Sequence, residues 1–142
     1  MAIAVDAMGG DSPLTVQIEA AIQAISELGT DVILVGAEEQ IKEVLKQHSF
    51  DQKKLRIVNS TETVEMNDSP TTALRQKKNS SIKVAVDLLA TGEADAVVSA
   101  GNTGAAMATA KFVLKSVKGI ERPAIALSCL PFTGITPSSY WI

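Results

Sequence analysis

The sequence predicts an α/β fold in which a parallel sheet carries helices on both faces. Short apolar runs alternate with helix-length amphipathic segments along most of the 142 residues. Residues 94–99, ADAVVS, are nearly all apolar, as expected of a strand buried on both faces. Ser, Asp, Pro and Gly mark the helix ends. Such alternation implies parallel strands joined by right-handed crossovers.

Three strands and two helices are predicted in the first 58 residues. Ala2–Val5 is the first strand, and a glycine loop follows it. Asp11 or Ser12 is the expected N-cap of the first helix, with Pro13 at its first position and Gly29 as its C-cap. The remaining elements of this part are strands at Asp31–Val35 and Leu55–Val58 and a helix at Glu38–Gln47.

The second part begins with a polar loop at residues 59–70 that ends in proline. A loop of this length in a compact domain often has a function or is mobile. The elements predicted after it are a helical turn at Thr71–Lys78, a helix from Ser80 or Ser81 to Gly92, a strand at Ala94–Ser99, a helix at Ala105–Val117 and a strand at Pro123–Ser128.

Composition excludes several classes of protein. Apolar residues make up 46% of the chain and charged residues 20%, which argues against global disorder. The net charge of -3 argues against nucleic acid as the main partner, because a phosphate backbone requires a basic surface. Residues 1–11 lack the basic region of a signal peptide, and no stretch has the length of a membrane span.

Two residue types that occur only once limit the possible disulfides, catalytic groups and metal sites. Cys129 is the only cysteine, so no internal disulfide can form, and we expect a buried, inert thiol in a reducing, cytoplasmic environment. His48 is the only histidine and ends an amphipathic helix, where a surface or capping role is expected. A Ser-His-Asp triad and a histidine-based metal site are therefore disfavoured.

The first candidate site is the loop that follows the first strand. Gly9 and Gly10 permit close backbone approach, and the next helix begins with free N–H groups that suit an anion. Asp6 and Asp11 would repel a phosphate, unless one of them caps the helix and the other orients loop amides or a basic side chain. From the residues alone, a tight strand-to-helix turn with an acidic cap is favoured over an anion site here.

The second candidate site is Ser99-Ala100-Gly101-Asn102-Thr103-Gly104, directly after the fully apolar strand. Small residues let a phosphoryl group reach the backbone amides, and the Ser, Asn and Thr side chains complete a cradle. An anion site is favoured here over a simple capped turn. A third candidate combines Arg75, Lys77 and Lys78 with Ser80 and Ser81, and solvated surface charge is its alternative. The sequence contains no dinucleotide fingerprint, P-loop or nucleophile elbow.

Three segments together resemble one family, the PlsX-type phosphate acyltransferases of bacterial phospholipid synthesis. They are IAVDAMGGDSP at 3–13, KKNSSIKVAVDLLATG at 77–92 and DAVVSAGNTGAAMATAKFVLKSVKGIERPAIA at 95–126. Their order and spacing match the family from about residue 2 to residue 127.

This resemblance implies a reaction in which acyl-acyl carrier protein and inorganic phosphate give acyl phosphate and free carrier protein. It also implies a fold like those of phosphotransacetylase and isocitrate dehydrogenase, a homodimer in the full-length form, and no metal or nucleotide cofactor. Peripheral membrane association is left open. By matched motif, phosphate is assigned to Ser99, Gly101, Asn102, Thr103 and Gly104, with Asp6, Gly9, Gly10 and Asp11 as the facing wall. Lys77, Lys78, Ser80 and Ser81 are secondary candidates, and no catalytic residue is assigned.

The family's chains are more than twice this length and continue with P-T-x-x-G and L-D-x-G-A-N segments that this sequence lacks. We therefore expect an N-terminal acyltransferase portion at 1–128 and a divergent tail at 129–142, as a shifted reading frame or an early stop would produce. Two alternatives to an active acyltransferase are a non-catalytic phosphate-binding module and an inactive truncation product.

Overall fold

The structure, a computed structural model, describes residues 1–120, 123, 124, 126–128 and 139–141. The strands are β1 (Ala2–Asp6), β2 (Asp31–Gly36), β3 (Leu55–Asn59), β4 (Ala96–Ser99), β5 (Ala126–Ser128) and β6 (Ser139–Trp141). The helices are α1 (Leu14–Leu28), α2 (Glu38–Leu45), α3 (Pro70–Gln76), α4 (Ser81–Thr91) and α5 (Thr103–Leu114), and one 3₁₀ turn covers Gln52–Lys54.

Four parallel strands form the main sheet in the order β3-β2-β1-β4. The chain therefore adds strands on one side of β1 and then crosses to its other side to form β4. Asp6 is opposite Val35 on one neighbour and Ser99 on the other, which brings the carboxyl ends of β1, β2 and β4 to one edge. This confirms the predicted parallel α/β architecture.

Apolar side chains cover both faces of the sheet, because alternate residues of each strand point to opposite sides. On one face, Leu34 packs with Ile18 of α1 and Ile41 of α2, and all three are fully buried. On the other face, Ile33 packs with Ala85 of α4. A third cluster joins α3, α4 and α5 and contains Val64, Ala73, Ile82, Val86 and Ala105.

Several predicted element ends differ from the observed ones. Pro13 is the N-cap of α1 rather than its first residue, and neither Asp11 nor Ser12 caps the helix. Helix α5 covers Thr103–Leu114 instead of Ala105–Val117, since Asn102 provides an earlier cap. Strand β4 begins at Ala96 because the Ala94 amide still bonds to the Leu88 carbonyl at the end of α4.

The predicted fifth strand is shorter and does not extend the parallel sheet. Ala126–Ser128 pairs with Ser139–Trp141 in a separate antiparallel ribbon. Cys129, with its predicted burial, lies outside the described residues, as does most of the tail. No helix in the described ranges is both long and apolar enough to cross a bilayer.

Candidate functional site

The strand order creates a switch point between β1 and β4 at the carboxyl edge of the sheet. The connections that leave these two neighbouring strands run to opposite sides, and ligands of open α/β sheets bind in the crevice that forms there. Asp6 ends β1 and Ser99 ends β4, so two of the predicted site residues lie side by side at this crevice.

Asp6, Ser99 and Gly101 form a short hydrogen-bonded chain. Asp6 is 3% exposed. Its Oδ2 accepts a hydrogen bond from the Ser99 hydroxyl at 2.7 Å, and its Oδ1 accepts one from the Met8 amide at 3.3 Å. The Ser99 Oγ in turn accepts the Gly101 amide at 3.1 Å. The carboxylate that the sequence placed near the phosphate is thus turned toward a hydroxyl and an amide.

The two glycine-rich loops are in direct contact. A Cβ atom on Gly9 would lie 2.5 Å from Asp6 Oδ2 and 3.1 Å from the Gly101 nitrogen. A Cβ atom on Gly10 would lie 2.7 Å from the Ala100 carbonyl oxygen. These contacts leave no gap between the loops at these positions, so an anion would have to approach Ser99 from the other side.

On that other side lies the N-terminus of α5. Asn102 caps the helix, with its Oδ1 accepting the Ala105 amide at 3.0 Å. The Thr103 and Gly104 amides belong to the first turn, and neither has a hydrogen-bond partner among the described residues. Free amides at the positive end of a helix dipole are suited to binding an anion.

A cleft of about 670 Å³ begins beside Ser99 and Thr103 and continues between α4 and α5. Its walls are mainly aliphatic, with Ile82 and Val86 from α4 and Val97 from β4. Lys111 and Lys115 lie among its lining residues, on α5 and directly after it. Hydrogen-bonding groups and an apolar channel therefore meet at Ser99.

Asn102 has a second role that the sequence did not indicate. Its Nδ2 donates to the carbonyls of Glu65 at 3.2 Å, Met66 at 3.0 Å and Asp68 at 2.9 Å. Both ends of this amide are therefore engaged with the protein, which favours a structural role over direct phosphate binding. Gly104 supports the same junction, because a Cβ there would lie 2.9 Å from Pro70 Cγ.

Lys77, directly after α3, likewise binds to the loop that precedes this helix. Its Nζ donates to the Thr63 carbonyl at 2.7 Å and forms a partly buried ion pair with Asp68. The hydrogen bond from Lys77, followed by the one from the Glu65 amide, holds the pKa of Asp68 below its usual value. Ser69 caps α3 by accepting the Thr72 amide at 3.1 Å. These bonds attach the 59–70 loop to both ends of α3.

The other predicted site residues are more dispersed. Ser80 and Ser81 are each 1% exposed at the start of α4, and the Ser80 side chain makes no capping hydrogen bond. Asp11 and Lys78 are both exposed, and neither forms an ion pair within the described residues. The structure thus brings together Asp6, Ser99 and the α5 N-terminus, and it leaves the basic candidates outside this group.

The family model and the similar proteins found by comparison agree on one family. The sequence matches the model of the family described as "Fatty acid synthesis protein" over residues 1–136, which extends past residue 127, where the resemblance was expected to end. Phosphate acyltransferase of Geobacter sulfurreducens is 50% identical over 126 residues, which is 89% of this chain and 36% of the relative.

Other phosphate acyltransferases give similar values. The Methylococcus capsulatus protein is 49% identical over 137 residues, covering 94% of this chain and 40% of the relative. The Clostridioides difficile protein is 43% identical over 131 residues, covering 92% and 38%. This chain spans little more than a third of the length of these relatives. It belongs to the fatty acid synthesis protein family.

Proposed function

We propose that this chain supplies the phosphate-binding part of an acyltransferase that converts acyl-acyl carrier protein and inorganic phosphate into acyl phosphate for phospholipid synthesis. One observation carries the proposal: the free amides of Thr103 and Gly104 lie where an apolar cleft begins. A phosphate and an acyl chain are the two substrate parts that such a junction would hold, and the relatives are named phosphate acyltransferases.

In this reaction a phosphate oxygen forms a bond to the thioester carbonyl carbon. The carbon–sulfur bond breaks, and its electron pair leaves with the thiolate of the carrier. The amides of Thr103 and Gly104 hold the phosphate, and the cleft between α4 and α5 holds the acyl chain so that its carbonyl lies near Ser99. Positioning of this kind supplies a large part of a rate enhancement, because it removes the entropy cost of bringing two substrates together.

Phosphate binding can be tested by NMR titration of the 142-residue chain with inorganic phosphate. We expect the largest shifts at the Thr103 and Gly104 amides, with saturation in the millimolar range. Thr103→Pro should weaken binding, because it removes one donor at a helix position that tolerates proline. Thr103→Ala keeps that donor and should lose less. The absence of any shift at these amides would contradict the proposal.

A non-catalytic phosphate-binding module is the second candidate, because the chain covers only 36–40% of these relatives. Incubation with an acyl-acyl carrier protein and phosphate separates the two. Incorporation of labelled inorganic phosphate into acyl phosphate, together with an equal amount of free thiol, would establish the acyltransferase. Phosphate binding without either product would establish the binding module.

A further inference from the structure

The hydrogen bonds of Ser99 restrict the kind of anion that this site can hold. A serine hydroxyl has one proton to donate and two lone pairs that accept. The proton lies on the 2.7 Å bond to Asp6, because an ionised carboxylate can only accept. One lone pair receives the Gly101 amide. Toward the cleft, Ser99 therefore has only an accepting lone pair left.

An accepting oxygen attracts an anion only if one of the anion's oxygens carries a proton. Hydrogen phosphate has such a proton at neutral pH, whereas sulfate, of the same charge and nearly the same size, has none. A sulfate oxygen facing Ser99 would bring its own lone pair against the lone pair of the Ser99 Oγ, with no proton between them to form a hydrogen bond. Helix amides and a helix dipole respond to charge alone and cannot separate the two ions.

We propose that Ser99, held as an acceptor by the buried Asp6, makes this site selective for a proton-bearing oxyanion, phosphate or arsenate, over sulfate. This inference rests on the proposed function, since it assigns the phosphate to the crevice at Ser99. Ser99 touches the anion, and Asp6 is a positioning residue that acts through the Ser99 hydroxyl.

Asp6 carries this role because its position leaves it no other strong partner. It is 3% exposed, and no ion pair reaches it within the described residues. No cluster of three metal-ligating side chains is found in that part of the chain either. A buried carboxylate without a cation is costly unless it accepts good hydrogen bonds. The Ser99 hydroxyl and the Met8 amide provide these bonds and thereby fix the direction of the Ser99 proton.

The test measures the dissociation constants of phosphate, arsenate and sulfate for the 142-residue chain by calorimetry, slightly above neutral pH. We expect sulfate to bind at least about tenfold more weakly than phosphate, because unpaired polar groups strongly penalise a mismatched ligand. Arsenate should follow phosphate. The ratio of two constants within one protein sample does not depend on the fraction of folded protein.

Asp6→Asn should abolish this preference by raising sulfate affinity, since the Asn amide can donate to Ser99 and turn the hydroxyl proton toward the cleft. A gain of sulfate binding is not a result that unfolding can produce. Ser99→Ala should also bring the ratio of the sulfate and phosphate dissociation constants near one. Ser99→Thr keeps the hydroxyl and should retain the preference for phosphate. Asp31→Asn removes the same charge at the opposite edge of the sheet and should leave the ratio unchanged.

Equal binding of phosphate and sulfate by the unmodified chain would overturn this inference while leaving the phosphate site intact. Retention of the full preference in Asp6→Asn or in Ser99→Ala would also overturn it. Failure of the unmodified chain to bind any of the three anions at millimolar concentration would overturn the proposed phosphate site itself, and with it the selectivity.

Discussion

At Gly10, a left-handed backbone with φ of +89° coincides with close contact to the carbonyl of Ala100. Gly92 has a similar φ of +79°, but a Cβ atom added there would have no other atom within 4 Å and would stand in open space. Comparing alanine substitutions at the two positions therefore distinguishes the cost of backbone strain from the cost of steric contact.

Gly10→Ala should lower the free energy of unfolding by about 2–4 kcal/mol, since left-handed strain and overpacking add. Gly92→Ala should cost only about 1–2 kcal/mol, because strain alone applies. Urea unfolding of both variants measures the difference. Equal losses would show that the contact between the two glycine loops does not contribute to stability.

Asn102→Asp should lower the free energy of unfolding by about 1–2 kcal/mol. The new carboxylate keeps the acceptor that caps α5, but it turns an oxygen toward the three carbonyls that Asn102 Nδ2 now binds. Asn59→Asp is the matched control. Within the part of the chain that the structure describes, Asn59 uses only its Oδ1, which accepts the Glu38 amide, so this variant should be close to neutral. The same urea experiment compares them, and similar losses at both positions would contradict the second role of Asn102.

Individual residues differ in how far the sequence predicts them. The small-residue segment after β4 was expected to form an anion site rather than a simple capped turn, and the structure shows that Asn102 caps α5. Its bonds to the 65–68 carbonyls depend on where a loop more than thirty residues earlier packs, which no local pattern encodes. The phosphate assignments themselves stay predictions.

At the scale of elements, the 59–70 loop is attached to α5 through Asn102 and to the end of α3 through the Lys77–Asp68 ion pair. The sequence predicted this segment as a long loop that is functional or mobile. The structure gives it defined bonds at Glu62, Asp68 and Ser69. Polar side chains that contact one another within a loop resemble a solvated loop in sequence, so the attachment was not predictable.

Acid should loosen this loop. Because the pKa of Asp68 in the folded protein is below its usual 3.8, the folded state binds fewer protons than the unfolded state near that pH. The contribution of the ion pair is therefore complete above pH 3.8 and is lost as the pH falls through the folded pKa. An NMR titration of the Glu65 amide, which donates to Asp68, should show its midpoint below 3.8.

Asp68→Asn should remove that titration, because an amide side chain does not ionise in this pH range. Asp51→Asn alters a carboxylate that caps the 3₁₀ turn elsewhere and should leave the Glu65 titration unchanged. A midpoint at or above 3.8 in the unmodified chain would contradict the effect of Lys77 on Asp68.

At the scale of the whole molecule, β3 and β4 are the two edge strands of the sheet that the described residues form, and β4 is the one beside exposed apolar surface. Among the described strands, β4 pairs only with β1, and Val98 is 53% exposed on it. The neighbouring surface of α5 and the segment after it also exposes large apolar side chains. These are Met107, Phe112, Leu114, Val117 and Ile120. An unpaired strand edge beside apolar surface favours association with other chains.

We expect the 142-residue chain to self-associate as its concentration rises, and Val98→Lys should weaken that association several-fold by placing a charge on the open edge. Leu28→Lys is the control, because Leu28 is 76% exposed at the distant end of α1. Analytical ultracentrifugation measures both. Equal effects of the two variants would show that β4 is not the associating edge.

The parallel α/β architecture follows from the alternation of apolar runs and helices, and this prediction is confirmed. The order β3-β2-β1-β4 could not be predicted in the same way, because each strand pairs through backbone groups that are alike in every residue. That order alone places Ser99 beside Asp6, and the crevice between them is therefore a property of topology rather than of either motif.

The pairing of β1 with β4 also has a consequence for synthesis on the ribosome. Asp6 and Ser99 are separated by 93 positions, so β1 emerges long before the partner that completes its second flank. At typical elongation rates of about 5–20 residues per second, that interval lasts roughly 5–20 s. During this interval, β1 of the growing chain is a temporary edge strand that can pair with β2 on one side only. Under the proposed function, a phosphate can bind at the crevice only after translation has passed α5, so it cannot assist the earlier steps of folding.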